Sequence, residues 1–223
     1  MKGFKDITIQ KARPLPVVIL ADTSGSMKEE GKIEALNLAL REMIRSLGMQ
    51  SRVSAEIWVA IIVFGGTAVV HSEFKPAYQY EEIPTFSAKG GTPFGQVLNL
   101  TQQILEDEDQ LPVRSYNPTI VVISDGRPTD AWEPALEAFL ASKRASAATR
   151  LAMGIGPDKV EEVLARFIDD PEIPVIYGKD ARDIEKFIRC VSRSVSSRSV
   201  QSNPNNISQS EIKELFREED LDF

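Results

Sequence analysis

Short runs rich in Val and Ile recur along the chain and alternate with stretches of helical periodicity. The runs are Val17-Val18-Ile19-Leu20, 57–64, 67–71, 120–124, 151–155 and 173–177. Continuous apolar runs of this length fit strands buried on both faces, as parallel sheets require. Between them, Ile33, Leu36, Leu40, Met43, Ile44 and Leu47 follow i, i+3, i+4 spacing, with Gly48 placed to end the helix. Val97, Leu98, Thr101, Ile104 and Leu105 form a second stripe after Pro93. Ala135, Leu136, Phe139 and Leu140 follow Pro134 as a third. Val160, Val163, Leu164, Phe167 and Ile168 give a fourth, and Ile184, Phe187, Ile188, Val191 and Val195 a fifth. Strands alternating with helices imply right-handed crossovers and an α/β fold: an open, mostly parallel six-stranded sheet with helices on both faces. The segment 58–70 turns at Gly65-Gly66 and reads as a hairpin. One edge strand is therefore expected to be antiparallel.

Length and charge narrow the function. The 223 residues suit one large domain with short appendages. The expected division is an N-terminal extension over 1–15, a domain over 16–198, and a flexible linker with an acidic tail over 199–223. Ser210 is the expected cap of a short helical turn in that tail, with Ile212, Leu215 and Phe216 apolar. One Cys and one His exclude an intramolecular disulfide framework and a Cys/His zinc site. A metal, if bound, must be held by oxygen. The net charge of −7 argues against nucleic acid as a partner. More than half of it lies in residues 204–223, which hold six acids and two bases. No apolar run approaches the roughly 18 residues of a membrane span. The first residues, Met1 to Asp6, lack the apolar core of a leader. The expectation is a cytoplasmic protein with no membrane partner.

Ligands of open α/β sheets bind beyond the carboxyl ends of the strands. The first strand runs into Asp22-Thr23-Ser24-Gly25-Ser26-Met27, and the fourth into Asp125-Gly126-Arg127-Pro128-Thr129-Asp130. Lys89-Gly90-Gly91-Thr92-Pro93 precedes a helix. Asp22, Ser24 and Ser26 alternate, so an extended turn points them the same way. Thr92 adds a hydroxyl and Asp125 a second carboxylate. Two carboxylates and three hydroxyls, with no nitrogen or sulfur, suit Mg²⁺ or Mn²⁺, with Ca²⁺ an alternative. A helix N-cap would explain one of these residues but not matching oxygens on three loops.

This set resembles the von Willebrand factor A (VWA) domain and its metal-ion-dependent adhesion site. The DxSxS motif is Asp22, Ser24 and Ser26, the separate threonine is Thr92 and the late aspartate is Asp125. The resemblance covers roughly Pro16 to Ser197 and implies a Rossmann-like fold. It implies that Ser24, Ser26 and Thr92 contact the metal, with Asp22 and Asp125 acting directly or through water. It also implies a coordination position left for a partner's Asp or Glu. The segment Asp125 to Trp132, and a late helix running into a Ser-rich end, are similar to the TerY-like subgroup of bacterial tellurium-resistance operons. Such proteins are encoded beside a protein kinase and a PP2C-type phosphatase, which implies a signalling or scaffold subunit.

The expected function is thus a metal-dependent protein-binding module and not an enzyme. The alternative is a Mg²⁺-dependent phosphohydrolase using the same crevice, with Lys89 and Arg127 near a phosphate. Asp130 reads either as an acid behind the metal ligands or as a cap for the helix after it. His71 and Cys190 read as packing or surface residues, and Trp132 as a core or interface anchor.

Overall fold

A computed structural model describes residues 12–50, 54–83, 85–156 and 161–223. The strands are β1 (Arg13–Asp22), β2 (Ala55–Gly65), β3 (Thr67–Pro76), β4 (Thr119–Ser124), β5 (Thr149–Ile155) and β6 (Ile176–Gly178). The helices are α1 (Lys32–Gly48), α2 (Phe94–Glu106), α3 (Glu133–Ala141), α4 (Lys143–Ser146), α5 (Glu161–Ile168), α6 (Ala181–Val200) and α7 (Gln209–Glu218). The strands form one sheet in the order β3-β2-β1-β4-β5-β6. All neighbours run parallel except β2 and β3. This is the six-stranded, mostly parallel α/β architecture expected from the runs, with its antiparallel edge strand.

The central strands are apolar because both faces are covered. Val17 to Ala21 and Ile120 to Ile123 are almost wholly inaccessible. On one face α1 packs against α6. On the other, Phe94 of α2 and Phe139 of α3 both meet Phe167 of α5, with ring centroids 6.0 Å apart in each pair. No helix among the described residues is long and apolar enough to cross a membrane.

Two boundaries differ from the sequence reading. β1 begins at Arg13, inside the segment expected to be an N-terminal extension; residues 1–11 lie outside the described residues. Pro14 and Pro16 argue against a strand there, because proline cannot donate to a ladder. They are tolerated because the β4 ladder begins only at Val17. The Pro14 carbonyl accepts from the Tyr116 N–H, so its missing donor also points to the side where no strand yet runs. β6 starts later than the apolar run, at Ile176, because Pro174 interrupts it; the Ile173 N–H instead closes a turn onto the Asp170 carbonyl. Val160, read as part of the fourth stripe, lies outside the described residues.

The segment 199–223, expected to be a linker and flexible tail, is packed against the domain. α6 runs through Ser199 to Val200. The buried Arg198 guanidinium donates to the Pro204 carbonyl, the Asn117 carbonyl and the Thr119 hydroxyl. Burial, with no carboxylate beside it, pushes its pKa down to about 10. α7 is capped by Ser208, not Ser210: the Ser208 hydroxyl accepts from the Glu211 N–H. Ile212 and Phe216 of α7 are buried.

Candidate metal centre

The carboxyl ends of β1 and β4 lie side by side, and the chain turns sharply after each. Asp22 is the last residue of β1 and is fully inaccessible. Its Oδ1 accepts from the Ser24 N–H at 2.7 Å, and its Oδ2 from the Ser124 hydroxyl. This closes the turn that carries Ser24 and Ser26 over the strand end. The two serine hydroxyls are 3.1 Å apart. Ser26 also donates to Asp125 Oδ1 at 2.6 Å. The first and third loops are thereby joined.

Thr92 arrives on a loop bonded backbone to backbone. The Lys89 N–H donates to the Thr23 carbonyl, Gly25 N–H to the Gly90 carbonyl, and Gly66 N–H to the Gly91 carbonyl. Gly90 has φ +75°, and a Cβ there would lie 2.5 Å from the Gly66 Cα. Only glycine permits that approach. The β2–β3 turn and the Thr92 loop are thus locked onto the Asp22 turn.

Gly126 marks where the oxygens converge. A Cβ on it would lie 2.7 Å from the Thr92 hydroxyl oxygen and 3.8 Å from those of Ser24 and Ser26. All five residues singled out from sequence, Asp22, Ser24, Ser26, Thr92 and Asp125, therefore meet at one sheet edge. We expect Gly126→Ala to weaken Mn²⁺ binding about tenfold with little loss of fold, because its methyl enters the space between the hydroxyls. Titration of Mn²⁺ followed by electron paramagnetic resonance checks this, and unchanged affinity contradicts it.

The donor set fits a hard cation. Only two of the five are carboxylates, and the described residues hold no group of three or more His, Cys, Asp or Glu arranged for a metal. Hydroxyls supply the rest. Asp22 carries an unmet negative charge: burial, opposed by the bonds from Ser124 and Ser24, pushes its pKa up to about 6. It has no ion-pair partner among the described residues. A bound cation would supply one.

Two residues play parts that the sequence reading did not assign them. Lys32, the first residue of α1, is buried and places Nζ 2.9 Å from Asp125 Oδ2. Lys32 lies four residues before Leu36 on the apolar stripe of α1, a sign of burial that the sequence reading did not use. Asp130 does not cap the helix after it. Its Oδ1 accepts from Gly95 N–H at 2.9 Å and its Oδ2 from Gln96 N–H at 3.0 Å. It caps the N-terminus of α2, which holds Thr92 in place.

The remaining candidates are structural. His71 is exposed and lies edge-on to Phe86. Cys190 is buried, its S–H donates to the Leu215 carbonyl, and burial pushes its pKa up to about 12. Trp132 is half-buried beneath the Arg166 guanidinium. Lys89 and Arg127 are exposed at the rim of the crevice.

Comparison with known proteins agrees with this fold. No curated protein matches the sequence. Among solved structures, a von Willebrand factor type A protein from Catenulispora acidiphila superposes with a TM-score of 0.65 at 20% identity, over 82% of this chain and 42% of that one. Proximal thread matrix protein 1 from the mussel byssus, with a zinc-occupied MIDAS motif, gives 0.60 at 12% identity, over 82% and 48%. The ArnB paralog VWA2 from Sulfolobus acidocaldarius gives 0.58 at 16% identity, over 81% and 45%. The chain spans less than half the length of each of these. At these identities the likeness concerns the fold. Residues 17–127 match the family model of the von Willebrand factor type A domain. That span, just under half of the chain, runs from β1 through Thr92 to the Asp125 turn, and over it the sequence is similar to a von Willebrand factor type A domain.

Proposed function

We propose that the chain is a metal-dependent protein-binding module that captures an Asp or Glu of a partner protein. The observation that carries this reading is the convergence of three neutral hydroxyls and two carboxylates from three loops at one sheet edge. Ser24, Ser26 and Thr92 would hold the ion, with Asp22 and Asp125 acting directly or through water. A divalent ion held largely by neutral oxygens keeps net positive charge and supplies an electrophile for an outside carboxylate. Mg²⁺ is the favoured ion on donor type. The zinc in the mussel protein's site makes competition between Mg²⁺, Mn²⁺ and Zn²⁺ the direct way to rank them.

Selection of displayed peptides tests the reading. Peptides captured in Mg²⁺ and released by EDTA are expected to be rich in Asp or Glu and to ignore an Asp22→Ala protein. Capture of the same peptides in EDTA, or by Asp22→Ala, overturns it. A Mn²⁺-supplemented phosphatase assay separates it from the phosphohydrolase alternative: we expect no turnover, and turnover lost in Asp22→Ala would establish the alternative. The resemblance of Asp125 to Trp132 to TerY-like proteins supports a place in bacterial stress or phosphorylation signalling, beside a kinase and a PP2C-type phosphatase.

A further inference from the structure

We propose that Lys32 sets the charge of the metal centre, lowering its affinity for the bare ion and raising the affinity of the loaded centre for an anionic ligand. The inference rests on the metal reading above.

The geometry that delivers Lys32 is costly as structure. The turn Gly25–Gly31 ends with two left-handed residues, Glu30 (φ 55°, ψ 23°) and Gly31 (φ 73°). A left-handed residue with a side chain is disfavoured. This reversal drops Lys32 under the site, where only 7% of its side chain is accessible. There Lys32 occupies the first turn of α1, the end of a helix that repels cations. Its Nζ lies beside the end of β5, where a Cβ on Gly156 would be 3.7 Å away. Its partner, the Asp125 side chain, is 1% accessible. Buried ion pairs are weak contributors to stability, so fold stability is a poor reason for this arrangement.

The charge of the centre is a better one. Asp125 divides its oxygens: Oδ1 takes the Ser26 hydroxyl at 2.6 Å and Oδ2 takes the ammonium at 2.9 Å. With Asp22 and Asp125 ionised and Lys32 charged, the three side chains sum to −1. A divalent ion then leaves the centre at +1, where without Lys32 it would be neutral. The ammonium repels the incoming ion and attracts the partner's carboxylate, both in a desolvated site where Coulomb interactions are weakly screened. Exposed Lys28, Lys89 and Arg127 at the same edge add to the attraction for acids.

The test uses the full chain as wild type, Lys32→Met, Lys32→Gln and Lys32→Arg, with circular dichroism and thermal melting to show folding. Mn²⁺ is titrated alone by calorimetry, and glutarate is then titrated into the Mn²⁺-loaded proteins. We expect Lys32→Met and Lys32→Gln to bind Mn²⁺ at least tenfold tighter, and their loaded forms to bind glutarate at least fivefold more weakly. Lys32→Arg, which keeps the charge, is expected to stay within threefold of wild type. Binding by the neutral variants but not by wild type supports the proposal in its strongest form. Equal or weaker Mn²⁺ binding by folded neutral variants overturns it, because a lysine that merely positions Asp125 has that opposite effect. Unchanged glutarate affinity also overturns it. Absence of Mn²⁺ binding in every protein, wild type included, overturns the metal reading itself and this inference with it.

Discussion

Asp22→Asn is expected to lose Mg²⁺ binding by more than a hundredfold and yet to be more stable than wild type when no metal is present. Both effects come from one desolvated carboxylate. Burial raises the Asp22 pKa to about 6, against about 3.9 in an unfolded chain. The folded state therefore holds its proton in a pH window where the unfolded state has released it. Stability of the metal-free protein must then fall as pH rises from about 4 to about 6, and stay low above it. At pH 7 the penalty is about 3 kcal/mol. The amide of the Asp22→Asn protein has no charge to bury. Its carbonyl oxygen can still accept from the Ser24 N–H, and its amino group can pair with the Ser124 hydroxyl. We expect the substitution to stabilise the metal-free protein by about 1–3 kcal/mol near pH 7 and by little near pH 4. Saturating Mg²⁺ reverses the order, since an ion present at about a hundred times its Kd adds about 2.7 kcal/mol to wild type alone. Thermal melts in EDTA and in Mg²⁺ between pH 4 and 8 check the crossing. A wild type more stable than Asp22→Asn in EDTA at pH 7 contradicts it.

The fold and the oxygen set were legible because their causes are local. Val17 to Leu20 and 120–123 read as buried strands since both their faces are covered by helices, which leaves no polar alternation. Asp22, Ser24 and Ser26 lie within one turn, although Ser26 sits in a 3-10 turn, Gly25–Gly31, and not in extended chain. Thr92 and Asp125 stood out through glycine-bearing turns and the resemblance. The residues that escaped act across distance in the chain. Lys32 shares the apolar face of α1 with Leu36 and Leu40, but its partner Asp125 lies 93 residues away in the chain. Asp130 caps a helix that begins well before it in the sequence. A local pattern shows that a cap is available, not which helix receives it. Arg198 is one of two arginines in the Ser-rich stretch 192–202. Its partners at Asn117 and Thr119 belong to the entry into β4, and no pattern near residue 198 points there.

Phe216→Ala is expected to destabilise the whole domain by about 3–5 kcal/mol, a large effect for a segment that reads as an acidic tail. Phe216 is 1% exposed, and its ring stacks on Phe187 of α6 at 5.8 Å with an interplanar angle of 16°. Ile212 and Leu221 are buried beside it. Beyond α7, the Tyr177 N–H donates to the Asp222 carbonyl, so the C-terminus reaches the edge strand β6. The acids of this segment contribute far less. Glu218 and Glu219 pair with Arg193 and Arg189 at partly exposed positions, worth at most about 1 kcal/mol each. Neutralising both as Glu218→Gln and Glu219→Gln should therefore leave stability nearly unchanged. Urea unfolding of the two proteins separates apolar docking from charge pairing, with the midpoint lowered at constant slope for Phe216→Ala. A change below about 0.5 kcal/mol in Phe216→Ala, the range of an ordinary surface site, would mean that α7 is a detachable appendage. Its carboxylates would then be free to seek a cation elsewhere, including the metal centre. With α7 docked as the apolar contacts require, Glu218, Glu219 and Asp222 are already held by Arg193, Arg189 and Lys179 of the same domain. Those three carboxylates are then not free to serve as the ligand that the proposed metal centre would capture.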